Sequence, residues 1–374
     1  MEISYPDTKK RKEFNHTKRI FSMEKVAVLA ITKNGIKMGL SLKKSFPDWQ
    51  IFVPSKFSDG NDMIKWYDES TSVKIVDLFK SNDALICLFS LGAVIRLIAP
   101  HIKDKKTDPA VIVIDDKAQF VISVLSGHLG GANELSNEIA EKIGSTPVIT
   151  TAADVNKTIA VDLIGREFGW KIDDDSTVTK ISAYMVNKEK IGVFQNVGQK
   201  NWWKDKLPEN VSMYDDNFDD LSNSNSKGFL IISDQIFDST ILENAVIYRP
   251  QTLVVGVGLH WDTSKETIKN GLESCLQKFN LSDKSIARFV SIKKEKDVVG
   301  LIELGKEMNI EIEYIDREEL ATINTPNPSK TVQSFEGTPS VSEAAAIKSS
   351  EGKLIVEKQK FPPNLTIAIA RIQN

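Results

Sequence analysis

The residues best suited to chemistry in this chain lie in one turn. In residues 123–134 an apolar stretch runs into Ser-Gly-His-Leu-Gly-Gly-Ala-Asn, and a helical pattern follows. The first N–H groups of a helix have no partner within the helix, and the helix dipole favours negative charge there, so such a turn can bind an anion. His128 is the only side chain in the turn that titrates near neutral pH, which suits it to general acid–base catalysis.

The same turn also has a purely structural interpretation. Glycine is common where a strand meets a helix because it accepts positive φ, and a lone histidine is more often a packed residue than a catalytic one. We favour a ligand-facing role because Gly130 and Gly131 together exceed the needs of a simple turn. Asn133 and Glu134 would point from the first helical turn toward the bound group.

Strand and helix patterns alternate on both sides of this turn. Apolar runs indicate strands at 26–31, 50–53, 84–89, 110–114, 119–125 and 148–150, and helical spacing indicates helices at 32–46, 61–80, from about 92, and at 132–143. Residues 115–118 read as a turn. This alternation predicts a parallel sheet covered by helices, of the flavodoxin-like type.

The length of 374 residues implies several domains, each with its own core. We predict a basic flexible tail (1–23), an N-terminal α/β domain (24–155), a small middle α/β region with a polar insertion (156–250), and a separate C-terminal α/β domain (251–374). In the middle region we expect a helix at 159–168 and strands at 191–196 and 229–233. Asp173 to Asp175 favour a solvated turn or helix cap over a metal site.

The C-terminal region repeats the alternation. Strands are expected at 253–258, 288–292, 310–315, 354–356 and 366–370, and helices at 263–279 and 295–308. Ser340 or Ser342 could cap a further helix that Glu343 favours electrostatically. Gly256 and Gly258 follow a strand, but no third glycine comes at the dinucleotide-binding step, so the pattern does not favour a nicotinamide site.

Bulk properties exclude several classes of protein. The net charge of −3 gives no basic field for nucleic acid, and no apolar stretch reaches membrane-spanning length. Cys87 and Cys275 are too few for a disulfide framework, and we expect Cys87 to be a reduced, packed thiol. The four histidines show no zinc-site spacing. We therefore predict a cytoplasmic protein without bound metal, nucleic acid or membrane.

Four sequence blocks identify a family. Residues 92–100, 103–111, 123–134 and 147–154 occur in the order and spacing of the cobalamin-biosynthesis G family, whose members are cobalt-precorrin-5A hydrolases. The chain resembles this family densely over 84–165 and more loosely over 252–372. The resemblance implies a cobalt-tetrapyrrole substrate whose ring A lactone is opened with release of acetaldehyde. The cobalt would come with the substrate, and no protein-bound cofactor is expected.

The resemblance also implies the residues of the site. His128 would be the base or proton shuttle, and the N–H groups of Gly130 and Gly131 would bind the oxyanion or a carboxylate. The other substrate-binding residues would be Ser126, Gly127, Asn133, Glu134, Arg96, Lys105, Asp108, Thr150, Thr151, Asp154, Gly256, Gly258, Gly337 and Glu343. We expect the His128 turn to lie beyond the carboxyl ends of the parallel strands, which is the edge of the sheet where open α/β folds bind ligands.

Two departures from the family pattern and two rival interpretations remain. Residues 256–262 read Gly-Val-Gly-Leu-His-Trp-Asp where relatives show Gly-Ile-Gly-Cys followed by basic residues, and position 153 is Ala where Thr is expected. The chain could instead be a non-catalytic protein that binds and carries corrinoid intermediates of the same pathway. With the hydrolase interpretation, the resemblance also implies neighbouring corrin-pathway methyltransferases as partners. A flavodoxin-like module without a ligand would explain the alternation but not the four blocks.

Overall fold

The computed structural model describes residues 23–214, 218–237, 239–296 and 298–373. The predicted basic tail falls on residues 1–22, which lie outside the described residues, apart from Met23. The chain forms two compact units, one through Val155 and one from Asn156. The prediction of a multi-domain α/β protein is confirmed, with three sheets in all within the described ranges.

The first unit contains a seven-stranded sheet in the order β3-β2-β1-β4-β5-β6-β7. Its strands are β1 (Val26–Ala30), β2 (Gln50–Pro54), β3 (Ile64–Tyr67), β4 (Ala84–Leu88), β5 (Ala110–Ile114), β6 (Phe120–Leu125) and β7 (Thr146–Val148). Its helices are α1 (Lys33–Ser45), α2 (Thr71–Ser81), α3 (Leu91–Ile98), α4 (Ala132–Ile143) and α5 (Ala152–Val155). Without the edge strand β3, the order β2-β1-β4-β5 is that of flavodoxin-like sheets.

The central strands are apolar on both faces because helices cover both sides of the sheet. Every residue of β1, β4 and β5 is buried. Along β1, Val28 packs into one core cluster and the next residue, Leu29, into the cluster on the other face. Cys87 lies in the second cluster, and burial raises the pKa of its thiol well above the ordinary value, which confirms the expected packed cysteine.

Strand β6 reverses the direction of the sheet. The turn at 115–118 folds β6 back antiparallel to β5, so that Leu125, at the end of β6, pairs with Val111, near the start of β5. The turn that carries His128 therefore lies beside the amino ends of the central parallel strands. The expectation that it lies beyond their carboxyl ends was wrong, because a hairpin and not a crossover helix joins β5 to β6.

The second unit begins with a five-stranded sheet in the order β10-β9-β11-β12-β8, with β8 antiparallel to β12. Its strands are β8 (Lys171–Ile172), β9 (Ile191–Gln195), β10 (Val211–Tyr214), β11 (Gly228–Ile232) and β12 (Ala245–Arg249). Its helices are α6 (Val178–Val186), α7 (Phe218–Ser222) and α8 (Ser239–Leu242). We call this the middle sheet.

A third sheet, which we call the C-terminal sheet, has the order β15-β14-β13-β17-β16, with β17 antiparallel to both neighbours. Its strands are β13 (Leu253–Leu259), β14 (Ile286–Ile292), β15 (Glu311–Ile315), β16 (Lys353–Phe361) and β17 (Leu365–Arg371). Its helices are α9 (Lys265–Lys278), α10 (Val299–Met308), α11 (Arg317–Ala321), α12 (Lys330–Glu336) and α13 (Val341–Ser350). Short 3-10 turns occur at Ser55–Phe57, Ala99–His101, Arg166–Phe168 and Asp283–Ser285.

Two predicted helices were wrong in the same way. The helix expected at 61–80 is instead β3 followed by α2, because the Ser70 hydroxyl accepts the Val73 N–H and so begins the helix there. The stretch 159–168 contains turns, since its apolar residues pack into the core of the middle sheet and the chain turns at Gly165 with a φ of +69°. In both places apolar spacing reflected burial and not a helix.

The prediction of a solvated turn at 173–175 is confirmed for the exposed Asp174 and Asp175 but was wrong for Asp173. Its carboxylate contacts Arg249, a side chain only 2% exposed, at 2.8 Å, and Lys284 at 3.0 Å. Burial raises the pKa of Asp173, but the hydrogen bonds and charges of Arg249 and Lys284 outweigh it and hold that pKa below its ordinary value. Asp173 thus links the middle sheet to a residue of the C-terminal region.

Across the described ranges, no helix combines the length and apolar character of a membrane span. The longest, α9, has 14 residues.

We expect Gly256→Ala to lower the free energy of unfolding by roughly 2 kcal/mol or more through overpacking. A methyl group there would lie 1.9 Å from the Ser342 carbonyl oxygen of α13, which cannot move without shifting the helix. Urea unfolding followed by circular dichroism measures this change. The matched control is Gly92→Ala, whose methyl would meet only the Arg96 guanidinium at 3.4 Å; equal stabilities of the two variants would contradict the packing role.

We expect Asp173→Asn to destabilise the protein by on the order of 2 kcal/mol at pH 7, because it leaves the buried Arg249 without its anion. Since the folded-state pKa of Asp173 is lowered, its contribution is complete above the unfolded value near 3.9 and is lost as pH falls through the folded pKa. The difference from wild type should therefore shrink below about pH 4. Urea unfolding at pH 7 and in this acidic range, beside Asp174→Asn, measures it; a difference independent of pH would refute the ionic explanation.

Candidate active site

Residues 126–131 form a tight connection between β6 and α4. Ser126 has a φ of +56° and Gly131, which precedes the first helical residue, has a φ of +79°. A methyl group at Gly127 would lie 2.7 Å from the Asn133 side-chain oxygen, and one at Gly130 would lie 2.3 Å from the Ser126 side chain. The glycines therefore let the turn close directly on the side chains that it positions.

The helix N-terminus is largely occupied by the turn itself. The N–H groups of Gly131, Ala132 and Asn133 donate to the carbonyl oxygens of His128, Ser126 and Gly127 at 3.0, 3.2 and 3.0 Å. The expectation that the Gly131 N–H binds an oxyanion or a carboxylate was therefore wrong, because the turn folds its own carbonyls onto these donors. Gly130 remains the predicted backbone donor of the turn.

The Asn133 side chain organises the site. Its amide nitrogen donates to the Thr151 hydroxyl at 2.9 Å and to an Asp154 carboxylate oxygen at 2.7 Å. Its oxygen accepts the Ser123 hydroxyl at 2.7 Å. Asn133 is 6% exposed, so these bonds are made away from water and hold β6, α4 and the segment 151–154 in one arrangement.

His128 and Asp154 form a hydrogen-bonded pair. The Nε2 atom of His128 lies 2.9 Å from Oδ2 of Asp154, the same oxygen that receives the Asn133 amide. The His128 side chain is 16% exposed and that of Asp154 is 41% exposed. An ionised Asp154 holds the proton on Nε2, which places the basic lone pair on Nδ1, and it stabilises the imidazolium that forms when His128 accepts a proton.

A neighbouring loop approaches the turn at Ser126, whose hydroxyl donates to the Asp108 carbonyl at 2.9 Å. The Asp108 carboxylate itself accepts the N–H groups of Lys103 and Asp104 at 2.9 and 3.0 Å. Asp108 is 8% exposed, so it shapes the loop and its carboxylate is not presented to a ligand. Lys105 is exposed in this loop.

The other predicted ligands of the first unit are Arg96, Glu134 and Thr150. Thr150 is exposed one residue before Thr151, and Arg96 is exposed on α3, where it donates to the Gly92 carbonyl. Glu134 lines a cavity of about 240 Å³ together with Trp49 and Phe46. Their roles as substrate ligands stay predictions.

The four predicted residues of the second unit have structural roles. Gly256 and Gly258 lie close to α13 and to Thr366 of β17, respectively, and Gly337 ends α12 with a φ of +70°. Glu343 is fully buried, and its carboxylate accepts the Asn327 N–H and side-chain amide and the Lys358 N–H. Packing and loop anchoring thus explain why these residue types occur here, and Glu343 offers no surface to a ligand.

Sequence reasoning missed Ser123 as a member of the site. It lies within β6, two positions before Leu125, and pairs in the sheet with Ile112. The available signal was a hydroxyl inside an otherwise apolar strand ten residues before Asn133. Such a residue must find a hydrogen-bond partner when it is covered, and the nearby asparagine supplies it.

Comparison with known proteins covers nearly the whole chain. Residues 74–154, 159–250 and 253–370 match the N-terminal, central and C-terminal regions of the cobalamin synthesis G family. A cobalt-precorrin-5A hydrolase from Priestia megaterium is 40% identical over 353 residues, which cover 92% of this chain and 94% of that protein.

More distant relatives extend over the same length. A cobalt-precorrin-5A hydrolase from Salmonella typhimurium is 29% identical over 343 residues, covering 89% of this chain and 94% of that protein. The crystal structure of a cobalamin biosynthesis protein G homologue from Sulfolobus solfataricus covers 94% of this chain and 98% of its own, with 23% identity and a TM-score of 0.36. The three regional matches and the identity to the Priestia megaterium protein show that this chain belongs to the cobalamin synthesis G family.

Proposed function

We propose that this chain is a cobalt-precorrin-5A hydrolase of anaerobic cobalamin biosynthesis. Full-length relatives bear that name. The observation that carries the proposal is the His128–Asp154 pair, held by Asn133 at a glycine-rich turn. Lactone hydrolysis needs a base that activates water and a proton donor for the leaving oxygen, and a histidine oriented by a carboxylate can serve as both in turn.

The first half of the reaction is an ester hydrolysis. His128 takes a proton from water as the oxygen attacks the lactone carbonyl, and the negative charge that develops on the carbonyl oxygen is stabilised by N–H donors, of which Gly130 is the proposed one. The carbon–oxygen bond of the lactone then breaks. The imidazolium returns its proton to the leaving oxygen, and the products are a ring A acetate and a hydroxyl on the carbon to be lost.

The second half releases that carbon with its methyl group as acetaldehyde. The new hydroxyl loses its proton, its oxygen becomes a carbonyl, and the bond to the macrocycle breaks, so that the electron pair passes to the conjugated ring. His128 is well placed to accept this proton as well, because it is neutral again after the first half. The product is cobalt-precorrin-5B.

The proposal also includes the source of the cobalt, the contacts of the macrocycle, the compartment and the partners of the enzyme. The cobalt arrives with the substrate, and this scheme uses no protein-bound cofactor. The exposed cations Lys105, on the loop that Ser126 contacts, and Arg96, on α3, would contact the peripheral carboxylates of the macrocycle. We place the reaction in the cytoplasm, with neighbouring corrin-pathway methyltransferases as partners that supply the substrate and accept the product.

Replacing His128 with Ala should lower the rate of acetaldehyde release by on the order of a hundredfold or more, because general acid–base catalysis is lost. The assay follows acetaldehyde from cobalt-precorrin-5A under anaerobic conditions. Glu141→Gln, a change on the exposed part of α4, is the control and should retain full activity. Unchanged turnover by His128→Ala would remove this residue from the mechanism, and tight substrate binding by the wild type without any release would favour the carrier.

Replacing Asp154 with Asn should lower kcat by at least about tenfold with little change in KM, because the amide cannot stabilise the imidazolium. Initial rates over a range of substrate concentrations measure kcat and KM separately. A loss confined to KM, with kcat unchanged, would contradict this role of Asp154.

A further inference from the structure

The second unit contains a large cleft that has no role in the reaction described above. It has a volume of about 880 Å³ and lies between the loop that follows β9 and the paired strands β16 and β17. This volume is within the range of ligand sites. The loop leaves the carboxyl end of β9, whose neighbours β10 and β11 run parallel to it, so the cleft lies at the edge where open parallel sheets bind ligands.

Among the described residues, the charged side chains that line the cleft are all cationic. The cleft is lined by three cations (Lys200, Lys353 and Arg371), five carboxamides (Gln195, Asn196, Gln199, Asn201 and Gln373), and Val197, Gly198, Leu354, Ile355 and Ile372. The lining contains no carboxylate among the described residues. Arg371 is already neutralised by Asp234, but Lys200 and Lys353 are exposed and have no recorded carboxylate partner in the described ranges. Such a surface attracts anions and offers apolar contact as well.

The walls of the cleft are held rigidly. Arg371 binds the buried Asp234 carboxylate through two hydrogen bonds of 2.8 and 2.9 Å, and Thr252 donates to the same carboxylate at 3.0 Å. Lys353 and Arg371 are paired residues of neighbouring antiparallel strands, so their side chains leave the same face of the sheet. These bonds fix the cationic wall before any ligand arrives.

The opposite wall is organised by Gln195, which is 4% exposed. Its amide nitrogen contacts the carbonyl oxygens of Val197, Gly198 and Gln199 at 3.1, 3.3 and 3.0 Å, and its oxygen accepts the Trp202 indole N–H at 2.8 Å. Within the described part of the chain, no N–H of residues 197–201 donates a recorded hydrogen bond. The loop thus turns its carbonyls toward Gln195 and keeps its N–H groups available to an acceptor.

We infer that this cleft binds a polycarboxylated tetrapyrrole by its acidic rim, an inference that rests on the proposed function because it takes the ligand class from it. Lys200, Lys353 and the N–H groups of the loop would hold carboxylates, and Leu354 and Ile355 would contact the apolar ring. The site would retain the macrocycle through groups that do not react. It is a binding site, separate in the sequence from the residues that open the lactone.

The test is a titration of the full-length protein with uroporphyrin I, a planar tetrapyrrole with eight carboxylates, followed by its fluorescence. Wild type should bind it saturably, more weakly as salt increases, and the double variant Lys200→Glu/Lys353→Glu should bind at least about tenfold more weakly. The matched control is Lys306→Glu/Lys330→Glu, two exposed lysines of the same unit outside the cleft. A Lys200→Arg/Lys353→Arg variant should retain binding, because it keeps both charges.

Several outcomes would overturn the inference. The first is that wild type does not bind uroporphyrin I saturably. The second is that the cleft variant and the control variant lose the same amount of affinity for it. The third is that a cleft variant whose thermal unfolding matches wild type binds uroporphyrin I with unchanged affinity. The acetaldehyde assay on the same preparations separates the two proposals. If the protein releases acetaldehyde but its porphyrin binding does not depend on Lys200 and Lys353, the hydrolase proposal is supported and the cleft proposal is refuted. If porphyrin binding depends on these lysines but no acetaldehyde is released, the cleft proposal is supported and the hydrolase proposal is refuted.

Discussion

The buried carboxamide of Asn133 is the interaction on which the candidate active site depends. One side chain accepts a hydrogen bond from β6 and donates two to the segment 151–154, so strand, helix and loop share a single set of partners. A buried amide without partners would be costly, which makes any other arrangement of these three elements unfavourable. The position of Asp154, and through it the orientation of His128, follows from that constraint.

The antiparallel direction of β6 determines at which edge of the sheet the hydrogen bonds of Asn133 form. In a fully parallel sheet the turn would have faced the carboxyl ends of β1, β4 and β5. At that edge Asp116 instead accepts hydrogen bonds from Thr32 and Asn34, so these groups satisfy one another. The His128 turn lies at the other edge, beside the loop that leads into β5, and Ser126 hydrogen-bonds to that loop. A single hairpin thus brings the turn that carries the histidine against the loop that carries the exposed Lys105.

The second unit uses its unusual residues for packing and for buried ionic contacts. Gly256 lets α13 approach the C-terminal sheet, and the buried Asp234 and Arg249 find partners in Arg371 and Asp173. Removing one partner of such a pair leaves an uncompensated charge in a dry environment, so the pairs hold both sheets in one arrangement. The pair of Asp234 and Arg371 also fixes part of the cationic cleft, because Arg371 is one of its lining residues.

The sequence alone determined the α/β class, most of the strands and helices, and the His128 turn with its histidine, asparagine and aspartate. These features depend on local patterns: apolar runs, helical periodicity, and small residues at a strand-to-helix connection. The stretch 159–168 was misread as a helix because burial against a distant sheet produces the same spacing as an amphipathic helix. Its true form depends on partners that the local pattern does not contain.

Only the tertiary structure decided which polar groups meet. It showed that the turn carbonyls occupy the Gly131 N–H, that Ser123 joins Asn133, and that Glu343 is buried on Asn327. It also brought Lys200 and Lys353 to one cleft although 153 positions separate them in the sequence (353 minus 200). Strand direction and long-range pairing decide such meetings, because reversing one strand moves everything attached to its end to the opposite edge of the sheet.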